Sequence, residues 1–206
     1  MPGVIPFGAI LAGGNNSRYG APKALVPVGG ERIIDRVVRA LRGATPDLVL
    51  VANRPELFAD LALPTRPDLR PGLGALGGLF TALHWAREAG RPGVLAVACD
   101  MPFLSPTLLA RVADLALDGE ADVVVPESDS RRGIEPLCAY YGTQCIASIE
   151  AQLERGDRRM VGFHDDVRVL RIPQSDVRRF GSPDLLFMNV NTHEDRERAD
   201  RLAADA

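Results

Sequence analysis

Phe7-Gly8-Ala9-Ile10-Leu11 is a short apolar run that opens directly into Ala12-Gly13-Gly14-Asn15-Asn16-Ser17-Arg18-Tyr19-Gly20-Ala21-Pro22-Lys23. An apolar strand followed at once by small residues and two cations reads as the start of a strand-loop-helix unit. The helix comes next: Ile33, Ile34, Val37, Val38 and Leu41 recur at helical spacing up to Gly43, a C-terminal stop. Leu48 to Ala52 reads as a second strand, and a short helix follows Pro55. Leu76, Leu79, Phe80, Leu83 and Ala86 then mark the buried stripe of another helix, with Trp85 at its border.

The alternation continues to the far end of the chain. Val94 to Cys99 is an unbroken apolar run that delivers Asp100 to a strand's carboxyl end, and Ser105-Pro106 supplies the cap and first turn of a helix through Leu117. Val123 to Val125, Leu137 to Tyr141 and Val167 to Ile172 read as further strands, and Ile146, Ile149 and Leu153 as a helix ending near Gly156. Leu185 to Val190 reads as a last strand leading to Thr192, which with Asp195 makes a capping-box-like start for the final helix. Short strands alternating with helices predict an α/β protein with a mostly parallel sheet covered on both faces. The 206 residues are expected to form one domain, 1–206.

Composition narrows the possible functions. With 46% hydrophobic and 25% charged residues the chain can bury a substantial core and has no bias toward disorder. A formal net charge of -3 supplies no global field for polyanions, so neither nucleic acid nor an anionic membrane is an expected partner. Pro2, Gly3, Pro6 and Gly8 interrupt the first apolar residues, unlike a signal peptide, and no run approaches a membrane span. Cys99, Cys138 and Cys145 are odd in number and lack C-x-x-C spacing, which argues against a disulfide framework or a zinc site and fits a reducing cytoplasm. Cys99 reads as a small buried hydrophobe at a strand end.

In an open α/β sheet, ligands bind beyond the carboxyl ends of the strands, so the residues that follow each apolar run carry the chemistry. In the stretch after the first strand, small residues let the backbone approach a phosphate while Arg18 and Lys23 neutralise it, as in a triphosphate cradle. A Walker A loop needs Gly-Lys-Ser/Thr in succession, whereas Ala21 and Pro22 separate Gly20 from Lys23. Asp100 offers the hard oxygen that magnesium prefers, although a strand-end aspartate can equally cap its own turn before Pro102. Gly72-Leu73-Gly74-Ala75-Leu76-Gly77 matches G-x-G-x-x-G, but the polar, proline-broken Arg66 to Pro71 before it is no buried strand, so a flexible substrate loop fits better. Asn189 and Asn191 lie two apart at a strand end, where extended geometry would point both at one polar ligand; a pair of turn formers before Thr192 is the alternative. His84, His164 and His193 have no mutual metal-ligand spacing.

Leu11 to Lys23 resembles the signature of molybdenum-cofactor guanylyltransferases and their nucleotidyltransferase relatives. Leu76-Gly77-Gly78-Leu79, Cys99-Asp100-Met101-Pro102-Phe103, Glu135 to Tyr141 and Asn189 to Asp195 appear in that family's order and extend the resemblance over almost the whole chain. Departures are Tyr19 in place of the usual methionine, Pro22 where an acidic residue is common, and Ala75 in place of the proline of Gly-Pro-Leu-Gly-Gly. The resemblance implies a three-layer α/β/α, Rossmann-like nucleotidyltransferase fold. It further implies that Leu11, Ala12, Gly13 and Gly14 contact GTP, that Lys23 holds its phosphates, that Asn53 and Asp68 recognise guanine, and that Asp100 binds Mg²⁺. Gly77, Gly78, Asn189 and Asn191 would lie on the molybdopterin side.

The implied reaction transfers GMP from GTP to molybdenum-bound molybdopterin and releases pyrophosphate, with Arg18, Lys23 and Asp100 as the catalytic set. Implied partners are proteins that deliver molybdopterin and apo-molybdoenzymes that receive the product. An anionic attacking phosphate needs no general base, in keeping with a sequence that has no convincing Ser/His/Asp or Cys/His arrangement. Two other readings stay open from the sequence: a sibling transferase using CTP or another phosphorylated acceptor, and a nucleotide-binding regulatory module without turnover.

Overall fold

All but the last of the apolar runs read as strands in the sequence take a place in one sheet. The computed structural model describes residues 5–13 and 22–204. The strands are β1 (Phe7–Leu11), β2 (Pro27–Val28), β3 (Glu31–Arg32), β4 (Leu48–Val51), β5 (Thr65–Arg66), β6 (Gly93–Ala98), β7 (Val123–Pro126), β8 (Cys138–Gly142) and β9 (Val169–Ile172). The helices are α1 (Ile33–Arg42), α2 (Gly74–Glu88), α3 (Pro106–Leu117), α4 (Ile146–Glu154), α5 (Gln174–Val177), α6 (Pro183–Leu186) and α7 (His193–Ala204). The main sheet has seven strands in the order β5-β4-β1-β6-β8-β7-β9, while β2 and β3 form a small separate ribbon. The fold is therefore α/β with helices on both faces, as the alternation predicts.

Side-chain alternation splits the core into two layers. Ile10, Leu50, Leu95, Val97, Val124 and Tyr140 face α1 and α3, meeting Ile34, Val37, Leu108 and Val112. Ala9, Leu11, Val49, Val51, Ala96 and Tyr141 face the other way, onto Leu76, Leu79 and Leu83 of α2 and Ile149 of α4. Helix α1 comes so close to the sheet that a Cβ added at Gly8 would lie 2.5 Å from Leu48 Cδ2 and 2.7 Å from Leu41 Cγ. Only glycine fits there without moving packed side chains.

One strand runs against the rest. β8 pairs antiparallel with β6, Gly93 opposite Gly142 and Val97 opposite Cys138, and antiparallel with β7 on its other side. Its beginning thus lies at the edge where the parallel strands end. A fully buried strand has the same apolar pattern in either direction, so its sequence carries no sign of this reversal.

Local signals at the helix starts are obeyed. Ser105 accepts a hydrogen bond from the Leu108 N–H at 3.3 Å, with Pro106 in the first turn of α3. At α7, Asp195 N–H donates to Thr192 Oγ1 at 3.1 Å and Thr192 N–H donates to Asp195 Oδ2 at 2.9 Å, a reciprocal capping box. The strand expected at Leu185 to Val190 does not form. Ser182-Pro183 starts the short α6 instead, and Leu186, Phe187, Met188 and Val190 bury themselves against the α1/α3 layer without joining the sheet. Val190 N–H donates outside any strand ladder, to Asp100 O at 3.0 Å.

Candidate functional site

The site gathers at the carboxyl ends of β4, β1 and β6, where loops leave the sheet and backbone groups are open to a ligand. β1 ends at Leu11, and the Ala12 N–H continues the pairing by donating to Val51 O at 2.9 Å. Gly13 is the last described residue before the loop. Gly14 and Arg18, the other cradle residues expected from the sequence, lie outside the described residues.

Beside β1, Asn53 and Asp68 clasp each other. Asn53 Nδ2 donates to Asp68 Oδ2 at 2.7 Å and Asp68 N–H donates to Asn53 Oδ1 at 2.9 Å. Asp68 is 9% exposed, and its Oδ1 is buried with no hydrogen-bond partner among the described residues. A buried acceptor left unsatisfied is costly, so this oxygen is suited to a donor other than those of the described residues. Space for that donor is kept by glycines. A Cβ at Gly13 would sit 3.4 Å from Asp68 Oδ2, and one at Gly78 would sit 3.7 Å from Asp68 Oδ1 and 3.6 Å from Leu11 Cδ2. These are ordinary contact distances, so the chain could accommodate the methyl group, but it would fill the space around Asp68.

The G-x-G-x-x-G stretch is not the flexible loop expected from its sequence. Gly74 opens α2, and Gly77 and Gly78 lie inside that helix. Gly77 is needed for packing, because its Cβ would meet Leu73 Cβ at 2.8 Å. Gly78, assigned by resemblance to the molybdopterin side, borders Asp68 and Leu11. Thr81, one turn further along α2, was not singled out in the sequence. Its hydroxyl donates to Gly77 O at 2.9 Å and accepts from the Leu69 N–H at 2.9 Å, tying the Asp68 loop to the helix. The available signal was a polar residue within the buried stretch of an apolar helix.

Beyond β6 a second group forms around Asp100. Lys23 opens a 3₁₀ turn, Lys23–Leu25, and its Nζ donates to Asn191 Oδ1 at 2.7 Å, joining residues 168 apart in sequence. Burial pushes the Asp100 carboxyl upward, while the Lys23 charge and its own backbone N–H pull it back. Glu135, just before β8, lies close enough for the Asp100 charge to add to the upward push that burial gives it, and its Oε1 accepts from the Leu137 N–H at 3.0 Å. Asn189 and Asn191, expected to share one ligand from a strand end, diverge because no strand holds them in register: Asn189 Nδ2 donates to Phe187 O at 3.2 Å, while Asn191 serves Lys23. The neighbouring Cys99 thiol is pushed up to about 12, chiefly by burial and then by the Asp100 charge, which disfavours the thiolate.

Asp100 is suited to a hard divalent cation. Among the described residues no side chain hydrogen-bonds or ion-pairs with its carboxylate, and no group of three or more His, Cys, Asp or Glu could hold a metal by itself. A single carboxylate at a phosphate-binding edge is the donor set magnesium takes when phosphates and waters complete its shell.

A mostly parallel α/β sheet with Asp68, Lys23 and Asp100 gathered at its strand ends fits a nucleotidyltransferase. The chain belongs to the MobA-like NTP transferase domain family, whose model matches residues 8–167. It is 34% identical to a molybdenum cofactor guanylyltransferase of Desulfosudis oleivorans, over 94% of this chain and 93% of that protein. It is 36% identical to a protein of Pelotomaculum thermopropionicum described as "Probable molybdenum cofactor guanylyltransferase", over 97% and 94% of the two chains. The crystal structure of molybdopterin-guanine dinucleotide biosynthesis protein A from Archaeoglobus fulgidus superposes with a TM-score of 0.80 at 25% identity, covering 97% of this chain and all of that one. Among the described residues no helix is long and apolar enough to cross a membrane.

Proposed function

We propose that this chain transfers GMP from GTP to the terminal phosphate of molybdenum-bound molybdopterin, forming the guanine dinucleotide cofactor and releasing pyrophosphate. The observation that carries the reading is the buried Oδ1 of Asp68, which has no partner among the described residues and is fixed by Asn53 beside Gly13 and Gly78. Guanine presents adjacent N1–H and N2–H donors to such an oxygen, whereas adenine and cytosine have no such pair. The names of the relatives point to the same nucleotide and supply the acceptor.

The bond-making step needs little from the protein beyond alignment and charge. An acceptor phosphate oxygen attacks the α-phosphorus, the bond from that phosphorus to the bridging oxygen breaks, and the electron pair leaves with pyrophosphate. Leu11, Ala12 and Gly13 present backbone to the nucleotide, and Lys23, held by Asn191, balances charge on the departing phosphates. Arg18 and Gly14 belong to the same proposed cradle. Asp100 holds Mg²⁺, which would supply Lewis-acid neutralisation of the polyphosphate. Asn189 and Asn191, with Gly77 and Gly78, border the acceptor's approach, and residues 1–206 act as one catalytic unit. Proteins that deliver molybdopterin and apo-molybdoenzymes that take the product are the partners this reaction requires.

The test is to offer the purified protein each nucleoside triphosphate with Mg²⁺ and molybdenum-loaded molybdopterin and to identify the product by mass. A guanine dinucleotide product supports the reading. A cytosine dinucleotide, or nucleotide binding without any pyrophosphate release, overturns it.

A further inference from the structure

β9 is the last strand of the main sheet, so one of its edges is open. Val123 N–H donates to Arg168 O at 3.1 Å and Glu127 N–H donates to Ile172 O at 2.9 Å, which fixes the residues of this segment that address β7. By two-residue alternation Leu170 does the same, and the N–H and C=O of Val169 and Arg171 point away from the sheet. No backbone hydrogen bond takes them up among the described residues.

Against this edge lies a groove of about 220 Å³, lined by Arg111 and Leu115 of α3, Leu170 and Arg171 of β9, and Arg179 and Phe180 beyond α5. Arg111 and Leu115 are one helical turn apart and so share a face. Among the described residues Arg111, Arg171 and Arg179 form no ion pair and no side-chain hydrogen bond. The groove's one carboxylate, Asp176, leaves it with a positive excess in a protein whose net charge is -3. Natural sheet edges are usually blunted or covered, and an open edge beside a groove is the geometry by which an extended peptide adds a strand.

We propose that the open edge of β9 and the arginine-rimmed groove beside it bind an extended, acidic segment of a partner protein. The segment's main chain pairs with Val169 and Arg171, one apolar side chain enters between Leu170 and Phe180 where a carboxylate on the same face meets Arg111 and Arg179, and carboxylates on the alternate face meet Arg171. A second copy of this chain is the wrong occupant. Pairing β9 with β9 would bring a second Arg171 to an edge that already carries a positive excess and would add no free carboxylate, since Asp122 is taken by Arg168, and like charges destabilise cross-strand pairs. None of the residues assigned to the nucleotide takes part, so the proposal stands apart from the function proposed above.

The experiment selects heptapeptides from a random display library on the immobilised full-length protein and measures the enriched peptide by fluorescence anisotropy. Enriched sequences are expected to alternate acidic and apolar residues. The R171E/R179E double variant is expected to bind the selected peptide at least tenfold more weakly with an unchanged circular dichroism spectrum. Hydrogen exchange should slow at the Val169 and Arg171 amides when the peptide binds, and N-methylation of alternate peptide nitrogens should abolish binding. Enrichment of neutral or basic sequences, or none, overturns the proposal. So does a selected peptide that tolerates N-methylation or is displaced by millimolar inorganic phosphate, since either marks simple anion binding. A concentration-dependent dimer in sedimentation that R171E dissociates would assign the edge to self-pairing instead.

Discussion

Asn53 and Asp68 hold each other through two hydrogen bonds, of 2.7 and 2.9 Å, and this clasp leaves one buried carboxylate oxygen of Asp68 without a partner among the described residues. Asp68→Asn replaces part of the acceptor with a donor and is expected to weaken GTP binding by roughly tenfold or more, the scale of a lost charged hydrogen bond at about 1.5–3 kcal/mol. Asn53→Ala frees the carboxylate to turn and is expected to narrow the preference for GTP over ATP. Competitive binding of the four nucleotides to each variant checks both. An unchanged GTP preference in Asp68→Asn would remove this carboxylate from base recognition.

Lys23 and Asn191 form a second long-range pair. Lys23→Ala is expected to cut turnover by about 10²–10³-fold at saturating nucleotide, the range for losing one fixed electrostatic partner of a transition state, with little change in melting temperature. Asn191→Ala should have a smaller effect, and the double variant should be little worse than Lys23→Ala, because the asparagine works through the lysine. Pyrophosphate release across this double-mutant cycle decides the matter, and additive losses would show that Asn191 acts on its own.

Asp100 is a case where function and stability oppose each other. Burial disfavours its charge, so Asp100→Asn is expected to keep or raise the melting temperature while losing the Mg²⁺-dependent tightening of GTP binding and nearly all turnover. Melting curves and GTP affinity measured through a Mg²⁺ titration test this. A lowered melting temperature with the metal response intact would make Asp100 a turn cap.

The His164 imidazole is pulled down to about 4, chiefly by burial and then by Arg171, and it packs edge-on against Phe163 at 5.0 Å. The unfolded chain therefore takes up this proton near the ordinary value of 6.5, before the folded chain does. Its contribution is intact above pH 6.5 and is lost progressively as pH falls toward 4. Melting temperatures of the wild type and His164→Phe between pH 7.5 and 4 are expected to diverge, with the variant falling less steeply. Parallel slopes would mean that the imidazole titrates normally.

The positions of these residues were legible in the sequence to different degrees, for physical reasons. Asp100 was legible because Val94 to Cys99 could only be a buried strand, and Thr192 with Asp195 because a capping box is a local signal. The Leu185 to Val190 run reads as a strand because an apolar segment is equally suited to packing on a sheet face, whereas Ser182-Pro183 starts a short helix there. Gly77 closes the G-x-G-x-x-G stretch that reads as a loop, yet its tight packing against Leu73 inside α2 overrides glycine's poor helix preference. The Asn53–Asp68 clasp and the Lys23–Asn191 contact depend on chain crossings that no local pattern encodes. Thr81 could have been found as a polar residue on a buried helix, but its service to Leu69 could not.

The reversed strand β8 has an evolutionary consequence. Residues 127–137 leave β7 and return into β8, and these two strands pair with each other. The excursion is pinned at its base by Glu135 N–H to Pro126 O at 2.9 Å and closed by Ser128 N–H to Gly133 O at 3.1 Å. Lengthening or replacing it costs little closure entropy, because its two ends are already held side by side. Asp68 sits across the sheet, on the segment that leaves β5. The excursion can therefore change in length or sequence while the Asn53–Asp68 clasp, carried by other segments across the sheet, keeps its geometry, so the two ends of this sheet edge are free to diverge independently.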